Sequence, residues 1–229
     1  MFDNNSERSN DTASSDINLN IYSLKTNLII SKNNYQENLL KICEDATLKK
    51  ILIQIDYYDK FFSNYIHEIE VNMWLEKVIY IFARIFNTDL IILFYVLLFL
   101  YQYIINKNEF FVIKPLIHVF IIFVLTGILK YTIKRPRPEI NQKVKRKYNV
   151  RKKETNHSMP SGDSMQAGNF AIIILFYFKS YYGFIIIPFV MFARIFYFCH
   201  YILDTVVGAI IGMGVSYILV YPLNLIKIR

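Results

Sequence analysis

At 229 residues, 54% of them hydrophobic and only 19% charged, the chain is too apolar for an ordinary soluble domain. Its formal charge of +8 is gathered largely into one segment. No aromatic or groove-reading module accompanies that charge, which argues against a nucleic-acid partner. The two cysteines, Cys43 and Cys199, lie far apart, so no disulfide framework is implied.

In chain order, residues 1–45 are polar, rich in Asn and Ser, and expected to form a flexible segment. They lack the basic and apolar regions of a cleaved signal, so the first membrane helix is expected to serve as the targeting signal. Residues from about 45 to 86 read as helical but mix apolar positions with Glu68, Glu70, Glu76, Lys77 and Arg84. This part lies partly in the membrane interface or packs with its polar face toward protein, or else spans as a sixth helix. Apolar blocks follow at Thr88–Ile105, Phe110–Ile133, 165–179, 183–199 and 203–221. Each approaches the ~20 residues that cross a hydrocarbon layer. The expectation is an all-α, multi-pass transmembrane bundle of about six helices occupying 46–229, and an integral membrane protein.

One long polar segment interrupts the second half. From Lys134 to Lys153 it carries ten Lys/Arg against a single acid, Glu139. Three clusters of chemistry-bearing residues fall at helix ends around it. In Lys130-Tyr-Thr-Ile-Lys-Arg-Pro-Arg137-Pro138, the prolines force the chain out of helix just beyond Lys130 and hold Arg137 extended beside it. In Pro160-Ser161-Gly162-Asp163, the start of an apolar helix offers unsatisfied N–H groups and a favourable dipole to an anion, and Ser161 adds a hydroxyl donor. In the third cluster, Arg194 precedes His200 and Asp204, which are four apart and would share one face of a helix. A carboxylate there fixes the imidazole tautomer and leaves the other nitrogen free to attack or take a proton. Three cations, a helix mouth and an oriented histidine are what phosphoryl transfer through a covalent phosphohistidine needs.

Lysine, six residues, Arg-Pro; then Pro-Ser-Gly; then arginine, five residues, histidine, three residues, aspartate resembles the tripartite signature of the type 2 phosphatidic acid phosphatase and haloperoxidase superfamily. The resemblance covers roughly 60–222. It implies an all-α bundle and hydrolysis of lipid phosphates, polyprenyl diphosphates or sugar phosphates without a divalent metal or other cofactor. It also implies that Lys130, Arg137 and Arg194 clamp the phosphate, helped by Ser161 and the Gly162 N–H, with His200 as nucleophile and Asp204 its orienting partner.

The residue after Pro-Ser-Gly is normally a histidine that protonates the leaving group; here it is Asp163, and Ala193 stands before the second arginine where serine is common. Asp163 protonated on substrate binding, His157 as a substitute donor, or a leaving group needing no proton would each rescue turnover. The last option favours polyprenyl diphosphates over phosphatidic acid. A catalytically impaired relative that binds phospholipid headgroups or a partner protein is the alternative, and a small transporter or channel a third reading. His118 is expected to pack inside the bundle. The positive-inside rule places the basic segment in the cytosol, while the resemblance implies a lumenal or outer site in an endomembrane.

Overall fold

Several helix ends in this chain are set by capping residues and prolines. The structure, a computed structural model, describes residues 46–87, 90, 91, 93, 96, 97, 100, 101, 103, 104, 110–151 and 156–225. The 1–45 segment expected to be flexible lies outside the described residues, as do residues 152–155 of the basic segment. Six helices can be bounded among the described residues, and no strand occurs there: α1 (Ala46–Glu68), α2 (Met73–Arg84), α3 (Phe110–Ile133), α4 (Gly162–Phe178), α5 (Ile186–Phe196) and α6 (Ile202–Leu225). A 3₁₀ turn, Tyr182–Ile185, leads into α5, and the described residues between 90 and 104 are helical. Residues 50–229 form one compact unit.

Asn72 caps α2 by accepting the Leu75 N–H at 2.8 Å. Ser161 caps α4, its Oγ accepting from the Ser164 N–H and hydroxyl. At the far end of α3, Lys134 turns left-handed at φ 55°, its N–H donating to the Lys130 carbonyl at 3.1 Å. Pro136 and Pro138 keep the chain from resuming a helix.

Among the described residues, two helices are long and apolar enough to cross a membrane, over Pro115–Ile133 and Ile202–Val220. The apolar block at 183–199 is divided instead into the 3₁₀ turn, α5 and a tight turn. α1 is built inside out relative to a helix of a soluble protein. Asp59, Ser63 and His67 are buried, whereas Tyr57, Tyr58, Phe61, Phe62 and Tyr65 are exposed. Polar residues inward and aromatics outward is the pattern expected where the surroundings are lipid rather than water.

The tightest packing joins α4 to α6 through glycines. A Cβ at Gly212 would lie 2.0 Å from the Met165 carbonyl oxygen, and one at Gly208 would lie 2.6 Å from that of Ser161. From the other side, a Cβ at Gly168 would lie 2.5 Å from the Ala209 carbonyl. Gly208 and Gly212 form a small-xxx-small step, which lets two helix backbones approach closely in an apolar medium. Gly214, on the same helix, has nothing within 4 Å of its would-be Cβ. Gly212→Ala is therefore expected to cost about 2–3 kcal/mol by overpacking, while Gly214→Ala gains up to about 1 kcal/mol of helix propensity. Thermal unfolding in detergent checks this, and equal midpoints for the two variants would contradict the close approach.

Candidate active site

The C-termini of α3 and α5 and the N-termini of α4 and α6 meet at one end of the bundle, tied by backbone contacts. The Ser161 N–H donates to the Asp204 carbonyl at 2.9 Å, and the Ser158 N–H donates to the Arg135 carbonyl at 2.8 Å. Gly208, one turn beyond Asp204, lets α6 come this near to the start of α4.

Lys130 and Arg137 converge on Asn156. Lys130 Nζ donates to Asn156 Oδ1 at 3.1 Å, and Arg137 donates to the same oxygen and, through Nε, to the Asn156 carbonyl at 2.7 Å. The third side of the Arg137 guanidinium donates to the Cys199 carbonyl at 2.6 Å and lies 3.3 Å from His200 Nε2. Both cations are buried. Arginine can only donate, so Nε2 presents its lone pair and the imidazole proton belongs on Nδ1.

His200 and Asp204 come together, but not on one helical face. α6 begins at Ile202, so His200 sits in the turn before it. That turn is set by Phe198, left-handed at φ 57° and stacked on the His67 ring with centroids 4.7 Å apart. A bulky residue in that region is strained and persists only where its surroundings hold it. Nδ1 of His200 lies 3.7 Å from Asp204 Oδ2, an ionic distance rather than a hydrogen bond. Oδ2 also accepts the Tyr201 N–H at 2.9 Å.

The other oxygen of Asp204 is held by a residue that sequence reasoning passed over. Arg135, only 1% exposed, donates at 2.6 Å to Asp204 Oδ1, to Asp56 Oδ1 and to Asp59 Oδ2. Asp56 and Asp59 come from α1, as does Ser63, whose Oγ accepts the Ile202 N–H at 2.9 Å. Asp59 Oδ1 accepts the next N–H, that of Leu203, at 2.8 Å. Asp56, Asp59, Ser63 and His67 lie three, four and four residues apart, a helical stripe that was visible in the sequence.

Asp163 forms an ion pair with Arg194, Oδ2 to Nε at 2.8 Å, and Arg194 also donates to the Ala83 carbonyl at 3.2 Å. The carboxylate thus occupies one of the three cations expected to face phosphate. His157 is half-buried; burial, then the charges of Lys134, Arg137 and Lys130, push its pKa below the usual histidine range. It is therefore neutral at neutral pH, a weak source of protons. His118 is fully buried within α3, as expected. Among the described residues no group of three or more His, Cys, Asp or Glu is arranged to hold a metal ion.

Comparison with solved structures gives two similar folds. One is the first transmembrane PAP2 type phosphatidylglycerolphosphate phosphatase from Bacillus subtilis, 18% identical, with a TM-score of 0.65 over 88% of this chain and 98% of that one. The other is Aquifex aeolicus LpxE, 22% identical, with a TM-score of 0.55 over 69% of this chain and 92% of that one. Both fit an all-helical, integral membrane protein. No curated protein matches the sequence. The PAP2 superfamily profile matches residues 111–225, the half of the chain that carries all three helix-end clusters. The chain belongs to the PAP2 superfamily.

Proposed function

We propose that the protein is a multi-pass membrane phosphatase, with residues 46–229 as its membrane-embedded domain. It would hydrolyse a lipid phosphate or polyprenyl diphosphate, without a metal, through a phosphohistidine at His200. The observation that carries this reading is the setting of the imidazole. Its Nδ1 faces the Asp204 carboxylate at 3.7 Å, and its Nε2 faces the Arg137 guanidinium at 3.3 Å. A nucleophilic nitrogen beside a phosphate-binding cation, backed by a carboxylate, is what in-line attack on phosphorus requires.

In the proposed reaction the Nε2 lone pair attacks the terminal phosphorus as the bond to the leaving oxygen breaks, and that oxygen departs with the electron pair. Lys130 and Arg137, with Ser161 and the N–H of Gly162 at the start of α4, hold the non-bridging oxygens. Arg194 joins them once the phosphate displaces Asp163. Asp204 stabilises the positive charge that develops on the ring. Water then attacks phosphorus, the N–P bond breaks, and His200 is restored with inorganic phosphate released.

Leaving-group chemistry decides the substrate class. An alkoxide leaving a phosphate monoester needs a proton, and the candidate donors are poor ones. Asp163 is paired with a cation, and His157 is held neutral. The phosphate leaving a diphosphate needs no proton, because its last pKa is only about 6. Diphosphate esters are therefore the favoured substrates of this reading. The Asp163–Arg194 pair also supports the second reading, an impaired relative that binds headgroups, since it neutralises part of the clamp.

Phosphate release by detergent-purified protein in EDTA should be faster from polyprenyl diphosphate than from phosphatidic acid, and should vanish in His200→Ala. Equal or faster turnover of phosphatidic acid would contradict the leaving-group argument. No release from either substrate, with Asp163→His restoring it, would favour the binding reading. Separately, Asp163→Asn removes the competitor for Arg194 and should tighten inorganic phosphate binding at pH 7 by about tenfold. Calorimetry reads this directly, and an unchanged affinity would place phosphate away from Arg194.

A further inference from the structure

The α1 stripe does more than fill space beneath α6. The first two N–H groups of α6, those of Ile202 and Leu203, are accepted by Ser63 and Asp59 of α1 rather than by a cap of its own. His67 Nε2 lies 3.4 Å from the His200 carbonyl. One face of α1 thus grips the segment that carries His200 and Asp204 at three successive turns.

Its charges are not needed for that grip. Neutral side chains could accept the same N–H groups, and burying carboxylates around a guanidinium carries a desolvation cost that a merely structural stripe would avoid. The charge count indicates what the carboxylates do. Asp56, Asp59 and Asp204 bring three negative charges; Arg135 and Lys60, the latter paired with Asp56, bring two positive ones. On the Nδ1 side of His200 one negative charge is left over, and a positive charge on the imidazole would balance it; Arg137 stands on the other side of the ring, at Nε2.

We propose that Asp56 and Asp59 are positioning residues that act through Arg135 on the His200–Asp204 pair, so that α1 supplies the negative charge that stabilises a cationic His200. Without them Arg135 would engage Asp204 alone and draw its charge away from the imidazole. The charged and titratable groups facing the pair are Asp56, Asp59, Lys60 and His67 from α1, Arg135 and Arg137 from the segment after α3, and Tyr201 from the turn before α6. Asp163 and Arg194 belong to the phosphate side. His67 meets the His200 carbonyl and the Phe198 ring. The proposal rests on the reading of His200 and Asp204 as the reacting pair.

Asp59→Asn is the decisive variant, because an amide keeps an oxygen for the Leu203 N–H and loses only the charge. The chain has four histidines, so the ring nitrogens of His200 can be followed by nitrogen-15 NMR across pH, with His200→Ala for assignment. Loss of a nearby negative charge disfavours the imidazolium, so the His200 titration midpoint should fall by about one unit in Asp59→Asn. A smaller fall is expected in Asp56→Asn, where the side chain is 18% exposed and Lys60 loses its partner as well. In turnover, kcat should drop about tenfold with KM within about twofold, as for an interaction made with the developing charge. If Asp59→Asn fails to fold, Asp56→Asn and Asp56→Glu decide the matter, the glutamate restoring the midpoint. An unchanged midpoint in the folded variants, with only a lower unfolding temperature, would overturn the proposal and leave α1 a structural brace. A wild-type protein that releases no phosphate would instead overturn the phosphatase reading, and the titration would still report the coupling.

Discussion

A guanidinium buried to 1% exposure cannot stand without compensation, and Arg135 obtains it from three carboxylates on two helices. Burying such a charge alone costs several kcal/mol even after relaxation, so the three short contacts set a condition that the surrounding elements must satisfy together. α1 must present Asp56 and Asp59 inward, and α6 must begin where Asp204 can reach. α3 must end two residues before Arg135, which the left-handed turn at Lys134 ensures. The Tyr201 ring lies against the same guanidinium at 4.6 Å. Much of the geometry at this end of the bundle follows from the need to keep that single cation partnered.

A second constraint, steric rather than electrostatic, brings the other half of the site into place. Gly208 allows the Ser161 carbonyl to lie against α6, and the Ser161 N–H then reaches the Asp204 carbonyl. The start of α4, where backbone N–H groups can receive an anion, is thereby set beside the turn that carries His200. Asp204 takes part in both constraints, through its side chain with Arg135 and through its backbone with Ser161. On the phosphatase reading, the residue that orients the nucleophile is also the residue that registers α6 against α1 and α4.

Features governed by local chemistry were legible in the sequence. The start of α4 at Pro-Ser-Gly, the end of α3 before the prolines and the helical character of α6 each depend on a few neighbouring residues. Where tertiary contacts decide, the pattern misled or fell silent. His200 and Asp204 were expected on one helical face because they are four apart, but the left-handed Phe198, held by its stacking on His67, puts His200 in the turn instead. Arg135 was hidden in a basic run that reads as a solvated loop, and its three carboxylate partners lie 69, 76 and 79 residues away in the chain. The stripe on α1 was readable as periodicity, yet polarity alone does not reveal whether such a face meets water or a buried arginine. The apolar block at 183–199 read as one span because hydropathy does not register a backbone that turns.

The site contains two opposed charge systems, and their separation bears on how an aspartate can occupy the leaving-group position. Beneath His200, carboxylates outnumber cations, which on the phosphatase reading suits a ring that becomes positive as it takes up phosphorus. Toward the phosphate, Lys130, Arg137 and Arg194 outnumber Asp163, which suits an incoming anion. A histidine after Pro-Ser-Gly would leave Arg194 without the carboxylate it now meets at 2.8 Å. Asp163 supplies a partner for a buried cation between substrates, and phosphate must compete for that cation on entry. A diphosphate is better placed in this competition than a monoester, because its second phosphoryl group adds negative charge at the mouth of α4. On the phosphatase reading its leaving group, itself a phosphate, also departs without needing the proton that Asp163 is ill suited to give. On that reading the same ion pair that makes Asp163 a poor general acid favours, on two separate physical grounds, the more highly charged substrate.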